Sequence, residues 1–203
     1  GKQMTMDLSS GWYLYSFFGH TGMEMGLNED GVTFKSHVDG KKFFLNPEES
    51  IKIQHKLDSN ITMCFDECVK LPAKYETVKK SVEMSMRWAK RSKDAFIDRP
   101  GYGIFGIVQG ADFPDLREKS AKDLTAIGFD GYAIGGLAVG ETAEEMYDII
   151  EAVEPHMPVN KTRYLMGVGT PGNIIEAVYR GVDFFDCVMP ARNARHARLF
   201  TWE

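Results

Sequence analysis

Hydrophobic residues from about residue 46 onward alternate between short apolar runs and longer stretches with helical spacing. The short runs have the length of buried strands and cover residues 61–66, 103–110, 131–140, 163–169 and 184–189. In the stretches between them, apolar residues recur about every three to four positions, as in the stripe that includes Tyr75, Val82 and Phe96. Because strand and helix alternate, the pattern predicts parallel βα units rather than hairpins.

Residues typical of helix N-caps indicate where the helices are expected to begin. Asn46 precedes Pro47, which suits the first position of a helix because proline has no N–H to leave unpaired. Thr142 and Glu145 have the spacing of a capping box, and Thr170 is expected to cap the helix after the fourth strand. The helices therefore begin directly after the predicted strands or their loops.

The expected fold class is α/β, as an incomplete (β/α)8 TIM barrel. A doubly wound open sheet is the competing architecture, but no glycine fingerprint of dinucleotide binding follows the first strand. A complete barrel of eight units usually needs about 250 residues. With 203 residues, the chain is expected to lack several units.

The first 45 residues do not follow the βα pattern. Residues 31–44 alternate between polar and apolar positions around Asp39-Gly40, which predicts a hairpin. We therefore expect a single partial barrel domain over residues 1–203, with a divergent segment at 1–45 and βα repeats at 46–203.

Composition narrows the class of protein. The chain is 43% hydrophobic, which suffices for one sizeable core, and its net charge of −5 argues against a general nucleic-acid coat. The three cysteines are an odd number, which favours a reducing compartment, and Cys64 with Cys68 is a weak candidate for a metal pair. There is no long apolar span and no signal-peptide pattern, so a cytoplasmic protein without membrane contact is expected.

Polar residues at strand ends are the first candidates for chemistry. Asp66 and Asp186 each fall at the end of a predicted buried strand, where a carboxylate is costly unless it is paired, hydrated or useful. Helix capping is the more common explanation for one such residue. Two on one barrel face, together with Gln109 and the backbone of residues 135–137, favour a polar pocket.

A basic segment precedes the end of the chain. Residues 192–198 contain three arginines and no acidic residue. A solvated loop and a local nucleic-acid contact are both open interpretations.

Seven motifs, in this order and spacing, resemble the bacterial queuine tRNA-ribosyltransferase (tRNA-guanine transglycosylase) family: EDGVTFKSHVDG, MCFDEC, SMRWAKRSKDAF, FGIVQG, GFDGYAIGGLAVGE, YLMGVGTP and FDCVMPARNAR. The resemblance covers residues 30–203 almost continuously. It implies a (β/α)8 barrel that exchanges guanine at the anticodon wobble position of tRNA for a 7-deazaguanine precursor of queuosine.

The resemblance also implies residue roles. Asp186 corresponds to the nucleophile, since exchange with retention requires two displacements and a covalent aspartyl-ribosyl intermediate. Asp66 corresponds to the carboxylate that accepts two neighbouring donors of guanine. Gln109 and the Gly136 backbone would donate to the guanine carbonyl, and further contacts to the base are expected from Leu137, Met166 and Tyr13.

Partners follow from the same resemblance. Gly167 and Gly169 in the segment 167–173, with Arg192 and Arg195, match positions that contact the tRNA anticodon loop, for which the planar guanidinium is suited. Val139 and Cys68 match the bacterial pattern, which implies 7-aminomethyl-7-deazaguanine as the incoming base. The family commonly forms homodimers, so a homodimer is expected.

The chain departs from the family at several points. Ser9 stands where the family has a further essential aspartate, and His196-Ala197 replaces the usual Asn-Gly. The chain ends at Glu203, before the Cys-x-Cys-x-x-Cys and distant His that bind the family's structural zinc, so no metal or cofactor is expected in it. The alternatives left open are a non-catalytic relative that binds tRNA or a partner subunit, and a barrel enzyme of another class that grips a phosphate at residues 167–169.

Overall fold

A three-stranded antiparallel sheet comes first along the described part of the chain. The computed structural model describes residues 26–36, 39–138 and 140–201. The strands pair in chain order and are β1 Gly26–Asn28, β2 Gly31–Lys35 and β3 Lys42–Leu45. The region predicted to form a hairpin pairs as β2 and β3, with Lys35 opposite Lys42.

The five remaining strands form one parallel sheet, in the order β4 Ile61–Met63, β5 Gly103–Val108, β6 Gly131–Ile134, β7 Thr162–Leu165 and β8 Phe184–Phe185. All neighbouring pairs are parallel, and the spatial order follows the chain order without reversal. A doubly wound sheet reverses its strand order at a switch point, so these strands do not have that architecture.

Helices precede, connect and follow the parallel strands. They are α1 Pro47–Lys56, α2 Tyr75–Ala95, α3 Pro114–Ile127, α4 Ala143–Val153, α5 Pro171–Tyr179 and α6 Met189–Arg195, with a 3₁₀ turn at Glu154–His156. The predicted caps are confirmed: Asn46 accepts from the N–H of Glu49, and Thr142 and Thr170 both cap within complete capping boxes. Among the described residues, no helix has both the length and the apolar character needed to cross a membrane.

The parallel sheet curves into half of a barrel. The rings of Phe105 on β5 and Phe184 on β8 stack with centroids 6.5 Å apart. In a flat sheet, three strand spacings would separate these strands by about 14 Å. On the opposite face, Leu124 and Phe129 fill the space above Gly106, so α3 packs outside and Phe105 points inside. The fold is therefore α/β with a five-stranded parallel half-barrel.

Two strands are shorter than their apolar runs predict. β4 ends at Met63 because the chain then turns toward α2, where the N–H of Phe65 donates to the Ser92 hydroxyl at 3.0 Å. The N–H of Glu67 donates to the Ser85 hydroxyl of the same helix at 2.9 Å. The last strand ends at Phe185. A solvated loop was one open interpretation of the basic segment at 192–198, but its first four residues lie in α6, which runs from Met189 to Arg195.

Candidate active site at the carboxyl ends of the strands

A carboxylate and an amide meet where the first two strands of the half-barrel end. Asp66 follows β4 and is half-buried, and its Oδ2 accepts a hydrogen bond from Nε2 of Gln109 at 2.7 Å. Gln109 directly follows β5, and its backbone N–H donates to the Ser120 hydroxyl of α3 at 3.0 Å. Gln109 is thus held through both its backbone and its side chain, and its side chain binds one oxygen of Asp66.

Burial changes the acidity of this carboxylate. Desolvation raises the pKa of Asp66 to about 6, with a smaller contribution from nearby Glu67, while the hydrogen bond from Gln109 opposes the shift. About nine-tenths of such a group is ionised at pH 7. Asp66 can therefore accept hydrogen bonds at neutral pH, but it gains a proton in mildly acidic solution.

Two glycines lie directly beside Gln109. Gly136 has a φ of +66°, and a Cβ at this position would lie 2.6 Å from Oε1 of Gln109. A Cβ at Gly135 would lie 2.7 Å from Cγ2 of Ile107. Glycine is required at both positions, and it exposes peptide groups where a flat ligand could approach closely.

A buried arginine, which the sequence pattern did not single out, holds the backbone near Gln109 and Gly136. Arg117 of α3 is completely buried, and its guanidinium donates to backbone carbonyls of Ala111, Val108, Gly135 and Gly136. Burial lowers the pKa of Arg117 to about 10, so it stays charged at neutral pH. Its position relative to Ala121 and Leu124 is that of a core-facing helical residue, and an arginine there was the available signal.

The second carboxylate has its own supports. Oδ1 of Asp186 accepts hydrogen bonds from the Tyr164 hydroxyl at 2.6 Å and from the N–H of Gly167 at 2.7 Å. Burial, and then the hydrogen bond to Asp186, raise the pKa of Tyr164, so its hydroxyl remains a donor at neutral pH. Both contacts fall on one oxygen and fix the plane of the carboxylate.

Two further predicted residues are buried near these groups. Met166 follows β7, and its backbone N–H donates to the Ile134 carbonyl at 3.3 Å. Leu137 follows Gly136, and the next N–H, that of Ala138, donates to the carboxylate of Glu141. In a trans peptide the carbonyl points opposite to the N–H, so the Leu137 carbonyl is directed away from Glu141.

The residues predicted to contact RNA lie at the same sheet edge as Asp186, in the segment after β7 and in α6. Gly167 and Gly169 line a cavity of about 200 Å³ together with Asn173, Cys187 and Met189. Arg192 and Arg195 lie on α6, one and two turns after this cavity. Both arginines are exposed to solvent.

The two carboxylates belong to separate groups. Asp66 follows the first strand of the half-barrel and Asp186 the last, so each has its own hydrogen-bond partners. Both lie at the carboxyl edge of a sheet that curves toward itself, as the contact between Phe105 and Phe184 requires. The predictions for Ser9, Tyr13 and Val139 lie outside the described residues.

The two neighbouring cysteines lie in a buried environment. Burial raises the pKa of Cys64 far above its ordinary value and that of Cys68 to about 12. Within the described ranges, no group of three or more His, Cys, Asp or Glu side chains could hold a metal ion.

The fold and the site together define an α/β protein with a parallel half-barrel and a group of polar residues at the carboxyl ends of its strands. The sequence profile of the family described as "Queuine tRNA-ribosyltransferase" matches residues 5–203. The chain therefore belongs to the queuine tRNA-ribosyltransferase family, as the motifs predicted.

Curated relatives bear the same name. The chain is 58% identical to a queuine tRNA-ribosyltransferase of Gluconacetobacter diazotrophicus, over 86% of this chain and 45% of the relative. It is 58% identical to that of Granulibacter bethesdensis, over 86% and 46%, and 53% identical to that of Francisella tularensis subsp. novicida, over 96% and 52%. The chain spans about half the length of the curated relatives it matches.

Proposed function

We propose that this chain carries the base-recognition and nucleophile residues of a tRNA-guanine transglycosylase. The reaction exchanges guanine at the anticodon wobble position for a 7-deazaguanine precursor of queuosine. The observation that carries the proposal is the group formed by Asp66, Gln109 and Gly136, because it presents the hydrogen-bonding pattern that guanine requires.

To bind guanine along one edge, a site must accept two hydrogen bonds from the base and donate hydrogen bonds to its carbonyl. The N1–H and the exocyclic amine of guanine are neighbouring donors that one ionised carboxylate accepts together, and this is the role of Asp66. The carbonyl of guanine accepts from the Gln109 amide, which has a second N–H besides the one on Asp66, and from the Gly136 N–H. Met166 packs on a ring face, and Tyr13 is proposed as a further aromatic platform.

Asp186 is the proposed nucleophile. It attacks the ribose carbon, the ribose–guanine bond breaks, and the electron pair leaves with guanine, giving a covalent aspartyl-ribosyl intermediate. The departing guanine takes up a proton on its ring nitrogen. The incoming base then loses its ring N–H proton, bonds to the ribose carbon, displaces the Asp186 carboxylate and restores the original configuration, so the exchange is proton-neutral. The bonds from Tyr164 and Gly167 hold Oδ1 of Asp186, so that the other oxygen can be presented to the ribose.

The incoming base is proposed to be 7-aminomethyl-7-deazaguanine. It shares the recognition edge of guanine and adds a cationic aminomethyl group. The Leu137 carbonyl is the proposed acceptor for this group, and its orientation follows from the hydrogen bond between Ala138 and Glu141.

The remaining features of the whole protein are proposals of the same kind. They are a complete (β/α)8 barrel, a homodimer, a cytoplasmic location, and binding of the tRNA anticodon loop by residues 167–173 and by α6. Arg192 and Arg195 of α6 suit contacts to phosphate and guanine because each guanidinium donates paired hydrogen bonds.

Exchange of labelled guanine into unmodified tRNA by the full protein tests the proposal. The protein is expected to incorporate label, and Asp186→Ala is expected to abolish incorporation while it retains tRNA binding. Tight tRNA binding without incorporation by the unchanged protein would contradict the proposal and support a non-catalytic tRNA-binding or partner subunit. That alternative has one sequence observation in its favour, Ser9 in place of an aspartate.

A further inference from the structure

Arg117 joins the ends of β5 and β6, the two strands that carry the proposed donors to the guanine carbonyl. Its Nε donates to the Ala111 carbonyl at 2.8 Å, and its Nη1 donates to the carbonyls of Val108 at 3.2 Å and Gly135 at 2.6 Å. Its Nη2 donates to the Gly136 carbonyl at 3.3 Å. All four bonds are to main-chain oxygens, so the guanidinium holds backbone geometry at the ends of β5 and β6.

The shortest of these bonds fixes the direction of one peptide group. In a planar trans peptide, the carbonyl of one residue and the N–H of the next point in opposite directions. Because the Gly135 carbonyl is bound to Nη1 of Arg117, the N–H of Gly136 points away from Arg117. Glycine has wide conformational freedom, so without this bond the Gly136 N–H could adopt other directions.

The same helix also holds Gln109. Ser120 lies three positions after Arg117, on the same side of α3, and its hydroxyl accepts from the Gln109 N–H. Gly110, the residue after Gln109, packs so closely on α3 that no side chain fits, because a Cβ there would lie 2.7 Å from the backbone nitrogen of Arg117. One rigid surface of α3 therefore supports both proposed donors to the guanine carbonyl.

We propose that Arg117 is a positioning residue for base recognition, directing the Gly136 N–H toward the 6-carbonyl of guanine. This inference rests on the proposed function. Its consequence is specific: selectivity for a 6-oxo purine depends on the planar, multiply donating guanidinium. A lysine ammonium keeps the charge but cannot span the same carbonyls.

The test compares guanine with 6-thioguanine as ligands of the full protein and of Arg117→Lys. Thioguanine keeps the two donors for Asp66 but replaces the carbonyl oxygen with sulfur, a weaker acceptor. The substitution is expected to weaken guanine binding about tenfold, the loss of one directed hydrogen bond, and thioguanine binding by no more than about twofold.

Arg163→Lys is the matched control. Arg163 is also a buried arginine, but it lies at the start of β7, where it pairs with Glu154 at 2.8 Å and donates to the Met157 carbonyl. This variant is expected to lose stability without a change in the ratio of guanine to thioguanine affinity. Equal weakening of both ligands in Arg117→Lys, or no weakening, would overturn the inference.

Two results separate this inference from the proposed function. If the unchanged protein exchanges no guanine, the proposed function fails; if it exchanges guanine and the affinity ratio is unaffected in Arg117→Lys, only the role of Arg117 fails. Should Arg117→Lys not fold, a crystal structure of the unchanged protein with guanine decides. A Gly136 N–H bonded to the guanine carbonyl supports the inference, and a Gly135 carbonyl turned away from Arg117 overturns it.

Discussion

Asp66→Asn is expected to stabilise the protein at neutral pH while it removes guanine binding. Desolvation raises the pKa of Asp66 from an ordinary value of 3.8 to about 6, which means that the folded state disfavours the ionised carboxylate. The shift corresponds to up to about 3 kcal/mol of unfolding free energy. An asparagine still accepts from Gln109 through its amide oxygen, but it carries no charge to desolvate.

The sign of the pH dependence follows from the direction of the shift. A raised pKa in the folded state means that the fold binds the proton more tightly than the unfolded chain does, so stability is lost as the pH rises from about 4 through 6. The asparagine variant lacks this loss. The difference in unfolding free energy should be near zero below pH 4 and reach its full value above pH 6.

Urea denaturation of the parent and of Asp66→Asn at pH values from 4 to 8 measures this difference directly. Glu67, whose pKa burial also raises, is present in both proteins, so the comparison isolates Asp66. Parallel pH profiles for the two proteins would refute the reasoning. Guanine affinity of the parent should fall about tenfold from pH 7 to pH 5 as Asp66 gains its proton.

Three further predictions address other residues of the site. Tyr164→Phe removes the 2.6 Å hydrogen bond to Asp186 and should lower kcat about tenfold with the KM for guanine unchanged; a raised KM and normal kcat would contradict it. Gly136→Ala places a Cβ 2.6 Å from Oε1 of Gln109, so calorimetry should show guanine binding weakened at least about tenfold, and unchanged affinity would argue against this pocket. Arg192→Ala and Arg195→Ala should each reduce the dependence of tRNA affinity on salt by roughly 0.7 to 1 logarithmic unit per logarithmic unit of salt, whereas Arg180→Ala, directly after α5, should leave it unchanged.

Much of the fold could be predicted from local signals. The caps at Asn46, Thr142 and Thr170 are recognisable because the hydrogen bonds that they make lie within three residues of chain. The contact between Asp66 and Gln109 was implied once the strands were expected to be parallel neighbours, because the carboxyl ends of such strands share one edge.

The parts that could not be predicted depend on long-range pairing. The end of β4 at Met63 is determined by Ser92, which lies 27 positions beyond Phe65. The support of Asp186 by Tyr164 joins residues 22 positions apart, and no local pattern specifies it. Arg117 was missed because its partners are backbone carbonyls, which are present in every residue; its place on the core-facing stripe of α3 was the one signal that the side-chain pattern offered.

The identity of the nucleophile is the central claim, and a trapping measurement tests it most directly. The full protein is incubated with unmodified tRNA, the free base is removed continuously, the mixture is denatured, and the covalent protein–RNA species is digested and mapped by mass spectrometry. The account predicts a ribosyl adduct on Asp186, absent in Asp186→Ala and discharged by added guanine. Guanine exchange that proceeds with no adduct, or with an adduct on another residue, would contradict it.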